Sequence, residues 1–417
     1  MRLKLTVAGL ALLAGNAQAA GFALIEQNAS GMGNAYAGQA AAAEDASTIF
    51  FNPAGLTRLG GSQVVAAGHA ILPSAEFSDS GSTKAPNQAV PPLGGNGGDA
   101  GTLALAPNLY YAMPMSGGMT FGLGISAPFG LVTEYDANWA GRFHAVKSDL
   151  QTLNINPTLA YKVNDAWSAG FGINAQQAKA ELSKMANYGS IVANQQGLAT
   201  VEGDDWGWGY NLGVLFEPRP DVRVGFSYRS KVDYELEGTV TYANHPILGT
   251  FSLPVTAKTT MPASASLSLY KVLSPGWDLL ADATWTQWNV FDRLTVRRTN
   301  GAPVDDTIED WHNTWRFSLG ANHHVSEHLT WRFGLAFDES PVPDATRTPR
   351  IPDADRFWLA VGLQYRMDKK RWLDVGYTHI FVDDSRVNIA ATATTGALVG
   401  GYENKIDILS VQYTHNF

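Results

Sequence analysis

Apolar and polar residues alternate without a break through the last eleven positions of the chain, Asp407 to Phe417. Leu409, Val411, Tyr413, His415 and Phe417 fall on one face; Ser410, Gln412, Thr414 and Asn416 fall on the other. A period of two over about ten residues predicts a strand that crosses a bilayer at a tilt, with one lipid-facing and one polar side. The pattern recurs in hairpins. Tyr210, Leu212, Val214 and Phe216 share a parity, Glu217-Pro218-Arg219-Pro220-Asp221 supplies a turn, and Val222, Val224, Phe226 and Tyr228 resume the alternation. Proline lacks a ladder donor and so belongs in such a turn. Leu159, Tyr161 and Val163 turn at Asn164-Asp165 into Trp167, Ala169, Phe171 and Ile173, and Trp315, Phe317, Leu319 and Ala321 turn near His324 into Leu329, Trp331, Phe333, Leu335 and Phe337. A further pair joins Phe357, Leu359, Val361, Leu363 and Tyr365 to Leu373, Val375 and Tyr377 through Asp368-Lys369-Lys370.

Long connections separate these hairpins: Pro73 to Gly101, Lys184 to Asp205, Gly238 to Ala257, Thr299 to Trp311, Asp338 to Asp355 and Asp384 to Glu403. Short turns alternating with long loops predict an outer-membrane β-barrel, short on the periplasmic side and long outside. At roughly 25 residues per strand with half of each connection, residues 61–417 hold about fourteen antiparallel strands, with twelve and sixteen as alternatives. Trp208, Tyr228, Trp285, Trp358 and Tyr377 are expected in the aromatic girdles at the lipid interfaces.

Residues 20–60 break the pattern. They are dense in small residues (Gly31, Gly33, Ala35, Ala37, Gly38 and Ala40 to Ala43) and are interrupted at Asn52-Pro53-Ala54, where Asn52 suits a helix cap and Pro53 a first helical turn. Small residues permit close backbone packing in a confined space, so a helical hatch plugging the lumen is expected. Gly31-x-Gly33 follows no strand and makes no phosphate loop. Before it, Met1 to Ala19 has a basic start, an apolar stretch from Leu5 to Ala14 and the small-x-small site Ala17-Gln18-Ala19, the anatomy of a secretory signal.

Composition narrows the classes. The 417 residues are 45% hydrophobic with a mean hydropathy of -0.10 and no apolar run of helix-spanning length, as expected when only alternate residues face lipid. With no cysteine, strand closure and packing must replace disulfides. A net charge of -9 without a basic run excludes a nucleic-acid partner. Gly-x-Ser-x-Gly is absent, and no serine, histidine and acid share a nucleophilic spacing, which argues against an enzyme. His323, His324 and His328 sit at an expected periplasmic turn and read as solvated; no metal and no cofactor are expected.

The chain resembles the FadL family of outer-membrane long-chain fatty-acid transporters. The resemblance is carried by Ala20-Gly21-Phe22, Ser30-Gly31-Met32-Gly33-Asn34-Ala35-Tyr36-Ala37-Gly38, Asn52-Pro53-Ala54 and Phe129-Gly130-Leu131-Val132-Thr133-Glu134-Tyr135. Ser340-Pro341-Val342-Pro343 and Ile351-Pro352-Asp353-x-Asp355-Arg356-Phe357-Trp358 complete it, so that it covers essentially the whole mature chain. It implies a fourteen-stranded barrel with an amino-terminal hatch, taking hydrophobic ligands from outside and releasing them into the membrane beside a kinked strand. Ala127, Pro128, Phe129, Gly130 and Leu131 are the expected lateral opening, since proline and glycine fit a central strand poorly.

A fatty acid needs a long apolar pocket and a fixed partner for its carboxylate. The resemblance places ligand contacts at Phe22 and Leu24 and headgroup partners at Lys184 and His312. His312 stands where the family pattern has lysine, and neutral imidazole brings little charge near neutral pH, so neutral ligands such as monoaromatic hydrocarbons are an alternative. Met185, Tyr188, Ile191, Val192 and Leu198 in one connection, with Ile247, Leu248, Phe251 and Leu253 in another, form the expected extracellular groove. A surface adhesin is the alternative outside transport. The expected surroundings are outer-membrane lipid and lipopolysaccharide of a Gram-negative cell, and the expected state is a monomer.

Overall fold

The computed structural model describes residues 20–89 and 93–417; the expected secretory signal lies outside them. Twenty ladder segments form one antiparallel sheet, and six interruptions along the chain reduce them to fourteen strands. They are β1 (Gln63–Asp79), β2 (Ala104–Pro114), β3 (Met119–Ser126, resuming at Gly130–Glu134), β4 (Lys147–Lys162), β5 (Trp167–Asn187), β6 (Gln196–Arg219) and β7 (Val222–Arg229 and Val232–His245). The second half holds β8 (Gly249–Met261 and Ser264–Ser274), β9 (Trp277–Thr286 and Arg293–Arg298), β10 (Pro303–Ile308 and Thr314–His324), β11 (Leu329–Asp338), β12 (Arg356–Arg366), β13 (Arg371–Val382 and Ser385–Ile389) and β14 (Leu398–Asn416). Each strand neighbours the next. β14 then pairs with β1 from Gln63↔Asn416 to Asp79↔Gly400, which closes the ring. Closure gives every described strand a neighbour on both sides, the condition for a β-structure in lipid.

Side chains are distributed inside out. Ser410, Gln412 and Thr414 are fully buried toward the lumen, whereas Leu409 and Val411 are 48% and 45% exposed on the outer face. The same holds around the ring: Phe171, Phe226, Phe317, Phe333 and Phe357 are exposed, while Asn174, Arg223, Ser318 and Arg332 are buried. Trp358 departs from its expected place in a girdle. It follows lipid-facing Phe357 and therefore points inward, fully buried, beneath the Arg316 guanidinium.

Four expected loops are instead largely strand, among them Asp384 to Glu403, which holds the end of β13 and the start of β14. Lys184 to Asp205 is taken up by β5 and β6 except for 188–195; Gly238 to Ala257 is a continuous β7–β8 hairpin with a tip at 246–248; Thr299 to Trp311 holds the first part of β10. Their alternation, as in Leu253, Val255 and Ala257, carries the sheet past the length that lipid requires. The connections 80–103 and 339–355 remain long, as expected. At the opposite end of the wall, His323 and His324 end β10 rather than forming the turn, with His324 Nε2 2.7 Å from Asp278 Oδ2. Among the described residues no histidine, cysteine and acid cluster suits a metal.

The amino-terminal segment lies within the ring. It consists of α1 (Ala29–Met32), α2 (Gln39–Ala42), α3 (Thr48–Phe51) and a 3-10 turn, Pro53–Arg58, and nearly all of residues 20–56 are buried. Asn52 caps the turn through its side chain, which accepts from Ala54 N–H at 3.0 Å, and Pro53 occupies the first turn. Its amide also donates to Ala40 O at 2.6 Å and to Val214 O of β6 at 3.0 Å. Glycines of the wall accept this segment closely. A Cβ on Gly33 would lie 2.6 Å from Gly362 Cα, so two backbones touch there with no room for a side chain.

Candidate functional site

The wall opens at β3. Its first part pairs with β2 only as far as Leu109↔Ile125, and its second part, from Gly130↔Gln151 to Glu134↔Lys147, pairs with β4 alone. Between Ser126↔Asn154 and Gly130↔Gln151, β3 advances one residue more than β4, a bulge that turns the strand away from β2. Residues 104–108 of β2 are left without a β3 partner, and Pro107 among them suits an edge.

Backbone groups at the break are satisfied from within. Ala23 bridges Phe129, with Leu24 N–H donating to Pro128 O at 2.8 Å and Gly130 N–H to Phe22 O at 2.9 Å. The Thr152 hydroxyl accepts from Phe129 N–H and donates to its carbonyl. Gln27 donates to Ala127 O at 2.9 Å and accepts from Asn108 of β2 at 2.8 Å, spanning the gap. A wall break within lipid depth is tolerable only with such substitutes.

Behind the break, Phe22 is almost fully buried in an aromatic cage. Ring centroids of Trp288, Phe291, Trp311 and Phe129 lie 4.7, 5.2, 5.5 and 6.1 Å from its own. Leu131, Val232, Tyr234, Leu236, Val240 and Val296 extend the cage into one apolar cluster running toward the long-connection rim. Two cavities adjoin it. An inner cavity of about 130 Å³ touches Leu24, Phe51, Pro128, Phe129 and Trp288 on its apolar side and Arg229, Asp282 and Arg316 on its polar side. An outer cavity of about 260 Å³ is walled by Leu182, Met185, Val201, Val240, Tyr242 and Val296, with Lys184, Asp305 and Arg350 among them.

Lys184 lies within β5 rather than beyond it, and its ammonium meets Asp305 Oδ2 at 3.0 Å. Arg350 donates to Lys147 O, Ser148 Oγ and Ser183 O, three of its five possible N–H bonds. Burial would raise the Asp305 carboxyl, but attraction to Lys184 and Arg350 outweighs it and holds this group below its usual range. His312 lines neither cavity: it is exposed, and its N–H donates to Pro341 O at 3.2 Å. Its neighbour Trp311 has the inward side chain. Arg350, Asp305 and the cage residues Trp288, Phe291 and Trp311 were not singled out from sequence; Arg350 immediately precedes the recognisable Ile351-Pro352-Asp353 stretch.

At the outer rim, Tyr188 packs edge-on to His245 at 4.9 Å and its hydroxyl donates to Ala243 O, while Phe251 stacks on Tyr242 at 5.3 Å. Ile191, Val192, Ile247 and Leu248 are exposed around this contact.

Residues 10–417 match the model of the outer membrane protein transport protein family (OMPP1/FadL/TodX). The long-chain fatty acid transport protein of an Escherichia coli O6:H1 strain is 32% identical over 403 residues, covering 89% of both chains. A putative outer membrane protein of Neisseria meningitidis serogroup B is 33% identical and covers 98% of this chain and 97% of its own. Among solved structures, a Pseudomonas aeruginosa FadL homologue superposes with a TM-score of 0.89 at 26% identity, covering 95% of this chain and all of that one. The closed fourteen-stranded ring, the break in β3 and these similarities together make this chain an outer-membrane β-barrel belonging to the FadL family of transport proteins.

Proposed function

We propose that the protein takes up long-chain fatty acids and related hydrophobic compounds by passive diffusion, capturing them outside and releasing them sideways into the membrane. The carrying observation is continuity: Val201, Val240, Tyr242 and Val296 line the outer cavity and belong to, or pack on, the cluster containing Phe22, Phe129 and Leu131 at the wall break. In this reading the exposed apolar residues near Tyr188 and Phe251 collect the ligand. Its chain then enters the outer cavity while its carboxylate displaces Asp305 from Lys184. The cage opens when the amino-terminal hatch, residues 20–60, shifts its Phe22 and Leu24, and the chain leaves between β2 and β3.

Binding of oleate and toluene to the purified barrel tests the headgroup site. Lys184→Ala is expected to weaken oleate by about 10- to 100-fold, the loss of a charge-assisted bond of roughly 1.5–3 kcal/mol, and to leave toluene nearly unchanged. Asp305→Asn should strengthen oleate by removing its competitor. His312→Lys should alter neither, because the side chain faces solvent. Equal sensitivity of both ligands to Lys184→Ala would remove this residue from the site. A second reading, uptake of neutral hydrocarbons, is favoured by the Lys184–Asp305 pair itself, in which the ammonium already has a carboxylate partner before ligand arrives.

A further inference from the structure

The β3 break is not matched by an unbroken wall elsewhere. β6 and β7 pair from Ala199↔Tyr242 to Asp204↔Glu237 and again from Asn211↔Arg229 downward. Between these ladders, residues 205–210 of β6 face 230–236 of β7 without ladder pairing, although both stretches remain laddered to their outer neighbours: β6 to β5 throughout, and β7 to β8 from Val232. Three hydrogen bonds cross the seam. Ser230 N–H donates to Tyr210 O at 2.9 Å, Tyr210 N–H donates to the Ser230 hydroxyl at 2.9 Å, and Glu235 N–H donates to Asp205 Oδ2 at 2.8 Å. Two of the three depend on a side chain, which a rotamer change releases without moving either strand.

Glycine shapes this seam. Gly207 and Gly209 leave the inner face of β6 bare, and a Cβ on Gly207 would lie 2.9 Å from Asp233 O, so β7 is drawn inward across β6. Val232 and Tyr234 of the displaced stretch pack in the same cluster as Phe22 and Phe129. The inner cavity reaches the laddered border of this seam. Its lining combines lumen-facing Asn211 and Arg229 with Leu212 and Tyr228, residues on the lipid-facing parity of the same strands, and with Pro262 at the adjoining interruption of β8. Outside, Trp208, Tyr210 and Leu212 are exposed.

We propose that the β6–β7 seam is a second lateral outlet, serving neutral hydrophobic molecules from the inner cavity. The proposal rests on the uptake reading above. Charge selects the cargo: Lys231 is bound to Asp233 at 3.1 Å and Lys258 faces Glu235 at 3.6 Å, which leaves the Asp205 carboxylate at the seam to repel a fatty-acid anion. One Phe22 cage thereby covers two exits, one beside β3 for chains with a carboxylate and one beside β6 for uncharged rings.

The chain has no cysteine, so a disulfide can lock the seam selectively. A Cβ on Gly209 lies 2.9 Å from Ser230 Oγ, within the reach of Gly209→Cys paired with Ser230→Cys. Uptake of labelled oleate and toluene is measured in cells whose other hydrophobic-compound transporters are deleted, with β3 native or sealed by Pro128→Val, Phe129→Thr and Gly130→Val. With β3 sealed, oleate uptake should fall about tenfold or more while a third or more of toluene uptake persists. Oxidised Gly209→Cys/Ser230→Cys should then abolish the remainder, and reductant should restore it. Loss of toluene uptake on sealing β3 alone, or indifference to the disulfide, overturns the second outlet; wild-type protein that takes up neither ligand overturns the uptake reading instead. Should the double cysteine variant fail to fold, a diazirine-bearing toluene on wild-type protein decides. Labelling of residues 206–212 beside that of 127–131 supports the outlet, and labelling of the latter alone overturns it.

Discussion

Replacing Pro128-Phe129-Gly130 by Val-Thr-Val is expected to cut oleate uptake by about tenfold or more while leaving oleate binding to the purified barrel intact. The residues 104–108 of β2 already form an unpaired edge, and β3 turns away from it at these three residues. Val and Thr favour a pleated strand, and the new side chains would no longer fit the bridge in which Ala23 faces Phe129. The ladder should then extend from Leu109↔Ile125 toward Ala104 and close the wall. Heat-modifiable migration on gels establishes that the variant is folded, and uptake of labelled oleate gives the readout. A folded variant with undiminished oleate uptake would show that fatty acids leave by another path.

Deleting Asn52-Pro53-Ala54 should have the opposite effect on permeability: single-channel conductance in planar bilayers rises, while selective uptake falls. The Asn52 side chain makes three hydrogen bonds, donating to Ala40 O and Val214 O and accepting from Ala54 N–H, that join α2, β6 and the 3-10 turn. At roughly 0.5–1.5 kcal/mol each, the bond to Val214 O ties the amino-terminal segment to the wall and the other two hold that segment's own fold, so the deletion loosens both. The barrel itself is held by its own closed ladder and should stay folded. Asn52→Ala, which keeps chain length, should give a smaller increase in the same direction. A wild-type barrel that already conducts like an open porin would remove the plug from the mechanism.

Much of the wall was legible before any coordinate. Alternation in 407–417 is a local property, since a strand exposed to lipid on one side and water on the other must repeat every second residue. It placed Leu409 and Val411 outside and Ser410 and Gln412 inside, as found. Asn52-Pro53 was likewise readable, because capping involves only neighbouring residues. Parity also corrected itself where residue type misled: Trp358 follows Phe357 and so faces inward despite its aromatic character.

What tertiary structure decided lies between strands. Nothing local distinguishes a long loop from a hairpin extending beyond lipid, so Gly238 to Ala257 became a loop in expectation and a ladder in fact. Nor does a run of residues announce which neighbour it will lack; the breaks beside β3 and between β6 and β7 exist only as missing registers. The site is more distant still. Phe22 meets Trp288 and Trp311 across more than 260 positions of chain, and Lys184 meets Asp305, 121 residues away, with Arg350 on the same cavity, while His312 turns to solvent. The chain alone determined the membrane, the strand faces and the capped turn because each follows from the spacing of near neighbours. The openings, the cage and the charged partners came only with ring closure, which sets the register between strands and brings distant residues onto one lumen.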